Sequence, residues 1–484
     1  MIVASVAAPD THSAIVAARA CAGLAGLVEF RLDRIGSPDP AALVEGSPLP
    51  VIAACPLETE GGAFLGNRGE RAALLRAAAA AGARYVDVDH RAASDLRELP
   101  PETRRVISSH DFAGTPERIS PLVFESLAAA GGIPKYVTTA RCAEDGLRVL
   151  RALREWGGRG IAFAMGEEGA ATRALAPLFG SIWTYAAAEV PTAPGQWSVA
   201  ELRATFPPAG PSPRTLVFGV LGRPIGHSLS PAVHRAALRA AGFDAIFLPF
   251  SPFRLADFLA LLEDHRFAGL GVTAPFKLEA ARLAARRSPE VEACGAANTL
   301  VRGAEGWEAH NTDGDAAAEA IEEEGGRGLE GARVLVLGCG GAARGIALAC
   351  RARGAAVLLA GRSPDRVASA CSAVGAEPIP WEGLASAPHD VLVQATPVGT
   401  RDPEALLVPP GAVRPGTVVL DVVYDPPETA LLSLARERGA RGIGGIEMFW
   451  RQASAQFRLF TGAEPPRELF RAAAHAALRR RAGK

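Results

Sequence analysis

Residues 331–350 read GARVLVLGCGGAARGIALAC. An apolar run, Val334–Leu337, meets a glycine turn, and the turn opens an alanine-rich stretch of helical composition. The turn spells Gly338-x-Gly340-x-x-Ala343, with Gly341 and Ala342 between. Strand, turn and helix in that order lay a dinucleotide pyrophosphate on a helix N-terminus. A glycine-rich packing turn is the plain alternative, and the flanking strand and helix weigh against it. The next strand ends in LLAGRS (358–363). A site selective for NAD wants Asp or Glu there for the ribose 2′-hydroxyl; Arg362 and Ser363 suit a 2′-phosphate, so the expected cofactor is NADP.

Outward from this unit the chain divides. Strands AAVLLAG, DVLVQAT and TVVLDVVY follow it, which makes 326–447 a nucleotide-binding lobe of Rossmann type. Before it, TLVFGV, AIFLPF, GLGVTA and NTLVRG form a second α/β lobe over 215–325, completed by a helical tail over 448–484. Residues 206–214, FPPAGPSPR, carry four prolines and read as a semi-rigid linker. Residues 1–205 hold eight β-like runs: MIVASV, VEFRLD, PVIAA, RYVDVD, RRVISSH, KYVTTA, GIAFAM and SIWTYA. Helical stretches such as RAALLRAAAAAG separate most of them. Eight strands alternating with helices predict a (β/α)8 TIM barrel, with an open α/β sheet as the rival.

The whole chain has 484 residues, 49% hydrophobic and 21% charged, with a net charge of −1. That balance supplies ample core and argues against a nucleic-acid or membrane partner, since both demand a basic excess. No apolar run reaches a membrane span. The opening MIVASVAAPD has no basic region ahead of its apolar run, so no signal peptide is expected. Seven scattered cysteines, none in a C-x-x-C pair, fit a reducing cytoplasm and suggest no metal site. Oligomeric state is not legible.

A barrel places its chemistry at the C-terminal ends of its strands and in the following loops. There the sequence offers Glu29, Arg31 and Asp33, then Glu60 in ETEGG, His110 in ISSHDF, Lys135 opening KYVTTA, Arg173 in MGEEGAATR, and Thr192 and Gln196 around TAPGQ. One lysine and one histidine at a barrel mouth suit Schiff-base chemistry: a neutral amine condenses with a ketone, and imidazole moves the α-proton. An arginine offers a fork for a carboxylate. A solvated lysine and a helix-capping His-Asp pair are the plain alternatives. In their order, these motifs resemble type I 3-dehydroquinate dehydratases over residues 1 to about 203. The resemblance implies Lys135 as the Schiff-base lysine, His110 as general acid and base, and Glu60 as its orienter. It also implies that Glu29, Arg31, Arg173, Thr192 and Gln196 hold the substrate. One departure stands out: Pro56 occupies the position, four before Glu60, where the family usually has Arg. Arg68 in the following loop is the cation available to compensate.

The second half opens with LGRPIGHSLSP (221–231), where Ser228 and Ser230 lie two apart. In an extended loop they point the same way, as short hydroxyl donors for a polyhydroxylated acid. GVTAPFK supplies Thr273 and Lys277, GAANTL supplies Asn298, and HNTDG supplies Thr312 and Asp313. A Lys–Asp pair near a carbonyl serves as proton donor and orienter during hydride transfer. With QATPVG, DVVYDPPET and Gln452, these segments resemble shikimate dehydrogenases over about 215–475. The resemblance implies that Ser228, Ser230, Thr273, Asn298, Asp313, Tyr424 and Gln452 bind shikimate, that Lys277 and Asp313 are the catalytic pair, and that Gly445 joins the cofactor site. The expectation is a fused enzyme that dehydrates 3-dehydroquinate and then reduces 3-dehydroshikimate to shikimate with NADPH. Rivals are a shikimate or quinate dehydrogenase with a weak or regulatory barrel, use of NAD, and a metabolite sensor without catalysis.

Overall fold

The computed structural model describes residues 1–262 and 266–482, and the chain forms two compact units. Unit 1 comprises Met1–Thr215 with Phe250–Leu261; unit 2 comprises Leu216–Pro249 and Leu262–Lys484.

Unit 1 is the eight-stranded parallel barrel. Its strands are β1 (Ile2–Ala8), β2 (Leu27–Ile35), β3 (Val51–Ala54), β4 (Tyr85–Asp89), β5 (Arg104–Asp111), β6 (Ile133–Thr139), β7 (Ile161–Met165) and β8 (Thr184–Ala187). Each falls on one of the eight runs expected from sequence. The sheet runs β7-β6-β5-β4-β3-β2-β1-β8, with β1 paired to both β2 and β8. At the remaining seam, between β7 and β8, one backbone bond links the strand entries, Ile182 N–H to Gly160 O at 3.0 Å. The barrel is thus nearly closed.

Side chains alternate in and out along each strand. The inward residues at the strand entries form an apolar floor that includes Val3, Leu27, Ile52, Val106, Ile133 and Ile161. One pleat further on, the same inward period brings Ser5, Glu29, Asp87, Ser108 and Lys135, all buried. The change from apolar to charged inside one barrel marks the level at which chemistry begins. Outside the strands, helices such as Arg68–Ala80 bury Ala72, Leu75, Ala78 and Ala79 in the surrounding layer.

Phe250–Leu261, from the stretch read as the shikimate-binding lobe, groups with unit 1. The physical reason lies in the buried Glu144 at the start of helix Ala143–Trp156. Its carboxylate accepts the amides of Phe253 and Arg254, each at 3.0 Å, while Ala143 N–H donates to Ser251 O at 2.9 Å.

Unit 2 holds two six-stranded sheets. The first contains β9 (Leu216–Leu221), β10 (Ala245–Phe250), β11 (Phe267–Val272), β12 (Arg286–Arg287), β13 (Thr299–Gly303) and β14 (Gly306–His310), in the order β10-β9-β11-β13-β14-β12. The second contains β15 (Arg333–Leu337), β16 (Ala356–Ala360), β17 (Glu377–Pro378), β18 (Val391–Gln394), β19 (Val418–Asp421) and β20 (Arg441–Gly444). Its order, β17-β16-β15-β18-β19-β20, is parallel throughout and reverses direction beside β15. That switch point is where doubly wound sheets bind nucleotides. The tail is two helices, Gly445–Thr461 and Arg467–Ala482.

One buried base has a pH consequence. His234, on the helix Ser230–Ala240, stacks on Phe247 with ring centroids 4.3 Å apart, and burial pushes its pKa down to about 3 from 6.5. The unfolded chain takes up a proton near 6.5 and the folded chain does not, so stability present above that value drains away as pH falls. Between pH 7 and 5 wild type should lose about 2 kcal/mol more than His234→Phe. Calorimetric melting of unit 2 at both pH values checks this; parallel losses would refute it.

Candidate active sites

Lys135 is the third residue of β6 and registers with Ser108, whereas His110 registers with Val137. The lysine therefore sits one pleat deeper than the mouth, on the Tyr185 ring at 4.3 Å from its centroid. Its Nζ donates to Asp87 at 2.7 Å and lies 3.9 Å from Glu29. Burial opposes the ammonium charge, but Asp87, Tyr185 and Glu29 outweigh it and hold the pKa above the ordinary lysine value. Burial likewise opposes the Asp87 carboxylate, and Lys135 draws its pKa below the usual range. Burial pushes Glu29 up. His110 goes down to about 4 through burial first and the facing Lys135 second. The resting proton thus lies on lysine and the imidazole is neutral, whereas the sequence reading expects an uncharged amine.

The other expected residues fall around this pair. Arg31 is held by Asp33 through two bonds, at 2.8 and 2.7 Å. Ser5 Oγ donates to Glu29 at 2.8 Å and accepts from Thr192 Oγ1 at 2.9 Å, and the Thr192 amide donates to Gln196 Oε1 at 2.7 Å. A hydrogen-bonded chain thus runs from the β8 loop down to the carboxylate beside the lysine. Glu60 takes a different partner from the one expected. Arg71 Nη1 bonds both of its oxygens, at 2.8 and 3.0 Å, and its Oε2 also accepts Leu57 N–H. Among the described residues no hydrogen bond joins Glu60 to His110. The cation that lines the cavity also differs from the one the sequence offers. Arg68 is exposed and pairs with Asp95, while Arg71, fully buried, lines the same cavity as Lys135 and His110.

Arg173 is 1% exposed, on the short helix Thr172–Leu175. Its Nη1 donates to Ala164 O and Gly195 O, at 3.3 and 3.2 Å, and its Nε has no partner. No carboxylate faces it among the described residues, and burial lowers its pKa to about 10. A buried guanidinium with carbonyls and the Phe163 ring around it, 5.1 Å from the ring centroid, is a cation without an anion.

Sequence reasoning missed Asp87, Ser5 and Arg71. Asp87 had a signal: in YVDVD it falls on the inward period of a buried strand, where an unpaired carboxylate is costly.

In unit 2, Lys277 opens the helix Lys277–Leu283 and its Nζ bonds the carboxylate of Asp313, first residue of Asp313–Glu323. Asn298 Nδ2 donates to Asp313 at 2.9 Å and to Thr312 Oγ1 at 2.8 Å, and lies 3.4 Å from Gln452 Oε1. Four separated segments thus converge on one polar cluster. Tyr424 packs on Phe449 with the two rings tilted by 47°, and burial pushes its phenol up to about 12. Thr273 lies against Gly222, where a Cβ would overlap its Cγ2. The serine pair departs from the extended geometry expected. Leu229 is helical and Ser228 Oγ accepts the Ser230 amide at 3.2 Å, so Ser230 begins a helix.

The nucleotide turn fits a pyrophosphate. Gly338 has φ +117, which only glycine adopts freely, and nothing lies within 4 Å of a Cβ built at Gly340. The helix Gly341–Ala352 starts without a side-chain cap, which leaves Gly341, Ala342 and Ala343 presenting amides. Exposed Arg362 and half-buried Ser363 follow β16. Gly445 opens its helix where a Cβ would overlap Val422 O. Gly341 packs on Lys277: a Cβ there would stand 2.7 Å from Lys277 Cβ.

A (β/α)8 barrel with a lysine–carboxylate interior, and a two-lobed unit with a parallel dinucleotide sheet, define a chain of two α/β enzyme folds. Residues 2–207 match the type I 3-dehydroquinase family, 220–300 the shikimate dehydrogenase substrate binding domain, and 445–475 the shikimate 5′-dehydrogenase C-terminal domain. A chloroplastic bifunctional 3-dehydroquinate dehydratase/shikimate dehydrogenase of Arabidopsis thaliana is 31% identical over 477 residues, covering 92% of this chain and 79% of its own. An NADP(+) shikimate dehydrogenase of Methanosarcina mazei is 38% identical over 269 residues, 53% of this chain and 96% of that one. The crystal structure of the Thermus thermophilus shikimate 5-dehydrogenase with NADP(H) and shikimate aligns with a TM-score of 0.50 at 34% identity, covering 55% of this chain and all of that one. The chain belongs to the family of bifunctional 3-dehydroquinate dehydratases/shikimate dehydrogenases.

Gly341→Ala should push Lys277 aside and cut nucleotide-dependent turnover about 10-fold, because small misplacements of a catalytic group cost that much or more. The barrel reaction of the same chain, assayed separately, should be unchanged; equal loss in both would point to misfolding instead.

Proposed function

We propose that unit 1 dehydrates 3-dehydroquinate through an imine on Lys135 and that unit 2 reduces the resulting 3-dehydroshikimate to shikimate with NADPH. The observation that carries the first half is the buried lysine beside two carboxylates and a neutral imidazole. Lys135 passes its proton to Asp87 or Glu29; the free amine adds to the ketone, and loss of water gives the iminium. Glu29, with its raised proton affinity and the Ser5 hydroxyl on Oε1, is suited to hold that proton. His110, already neutral, takes the α-proton and returns it to the departing hydroxyl. A second water then cleaves the imine and frees Lys135, so one water leaves overall. Arg173 receives the substrate carboxylate, which supplies the anion its pocket lacks, while Arg31, Thr192 and Gln196 reach the ring hydroxyls.

In unit 2 the reduced nicotinamide supplies the hydride when bound. Lys277 donates the proton to the oxygen that becomes the alcohol, and Asp313 orients it. Ser228, Ser230, Thr273, Asn298, Tyr424 and Gln452 surround the hydroxylated ring and its carboxylate. Arg362 and Ser363 take the 2′-phosphate, which favours NADP over NAD. The barrel's product is the reductase's substrate, so a shared chain raises its local concentration. We assign the barrel activity to residues 1–205; the expected linker 206–214 and Phe250–Leu261 group with the same unit, and the reductase takes the remainder. The seven unpaired thiols suit a reducing cytoplasm.

Borohydride added during turnover of 3-dehydroquinate should trap one reduced adduct, visible by mass spectrometry on the peptide containing Lys135 and absent from Lys135→Ala. An adduct that persists in that variant would overturn the assignment. Lys277→Ala should lower NADP-dependent turnover by about 100-fold or more while shikimate still binds, as calorimetric titration would show.

A further inference from the structure

Phe112 lies just beyond the exit of β5, two residues after His110 and 51% exposed. A large apolar ring left that open asks for a reason. Its plane lies nearly parallel to the imidazole, 13° apart, with centroids 5.9 Å apart. The tip of the ring meets the turn that follows β3. Gly61 there has φ +77, and a Cβ built on it would overlap Phe112 Cζ and stand 2.7 Å from two further ring carbons. Only glycine suits that backbone and leaves room for the ring. The turn is itself held. Glu60, one residue earlier, caps Leu57 and is gripped through both oxygens by buried Arg71, whose Nη2 also bonds Asp95 at 3.0 Å. Asp111, between His110 and Phe112 in sequence, accepts the amides of Ala113 and Gly114 and so fixes the loop that carries Phe112.

We propose that Phe112 is a positioning residue for His110: an apolar strut, seated in the Glu60–Gly61 turn, that sets the imidazole plane and keeps water from it. The inference rests on the barrel reading above. It gives Glu60 a route to the histidine that needs no hydrogen bond: Arg71 holds Glu60, Glu60 holds the turn, the turn backs Phe112, and Phe112 backs the ring. The charged groups facing His110 are Lys135 from β6, Asp87 and Asp89 from β4 and Arg31 from β2. Phe112 itself carries no charge, so its stacking on the imidazole contributes dehydration alone, and Glu60, in the turn behind it, is paired with Arg71. Dehydration disfavours imidazolium.

Removing the ring should therefore loosen the base and let it protonate more easily. In Phe112→Ala the dehydratase kcat should fall about 10-fold, and the acid limb of its pH profile should move up by about half a unit or more towards the ordinary histidine value. Phe112→Tyr, which keeps a flat ring, should restore both. Gly61→Ala, which drives a methyl into the ring, should reproduce the alanine phenotype. Far-ultraviolet circular dichroism, with borohydride trapping on Lys135, reports in each full-length variant that the barrel is folded. An unchanged acid limb in Phe112→Ala, with kcat within a factor of about two of wild type, would overturn the proposal. Borohydride trapping separates the two readings: an adduct in Phe112→Ala with an unmoved profile refutes the strut alone, whereas loss of any adduct in wild type refutes the barrel reading beneath it.

Discussion

The Lys135–Asp87 pair, 2.7 Å apart inside the barrel, constrains everything near it. Two charges taken out of water survive only because each neutralises the other, and removing one partner of such a pair costs about 3–5 kcal/mol. The pair fixes where the proton rests and leaves His110 neutral beside a cation. It also makes Glu29, whose proton affinity burial raises, the natural second acceptor. The site is therefore charged for imine formation but locked until a substrate rearranges its protons. The apolar floor beneath, with Tyr185 under the ammonium, prevents water from relieving the lock from below.

Unit 2 solves a different problem with a polar hub. Asn298 uses one amide nitrogen for Thr312, Asp313 and Gln452 and one oxygen for Thr299 and the Thr312 amide. Lys277 reaches the same hub through Asp313 and touches the nucleotide turn at Gly341. Lys277 and the glycine turn are thus placed by contact, and the small residue at 341 is what permits it.

Much of this was legible in the sequence. The eight barrel runs and the doubly wound lobe were readable because buried parallel strands are apolar, short and evenly separated by helices. Lys135, His110 and Glu29 were readable because charged residues on an inward period need a purpose. What escaped was set by partners remote in the chain. Arg71 looks like an ordinary helix residue, and only folding shows that it, and not Arg68, grips Glu60. Ser5 is one small residue in an apolar strand, and its value comes from Glu29 and Thr192 meeting around it. The Ser228–Ser230 spacing suggested an extended loop, but the Ser228 hydroxyl competes for a backbone amide and turns the chain into a helix.

The incomplete seam between β7 and β8 has its own use. Ala164, on the β7 edge, spends its amide on the Thr172 hydroxyl and lends its carbonyl to Arg173. A fully laced barrel would have consumed those groups in its own ladder. Because the lacing stops short, the strand edge becomes a mooring for the guanidinium, which is held in place before any anion arrives. Little side-chain freedom is then left for an anion to take away, so the gap in the wall gives the barrel a rigid, ready-made cationic handle.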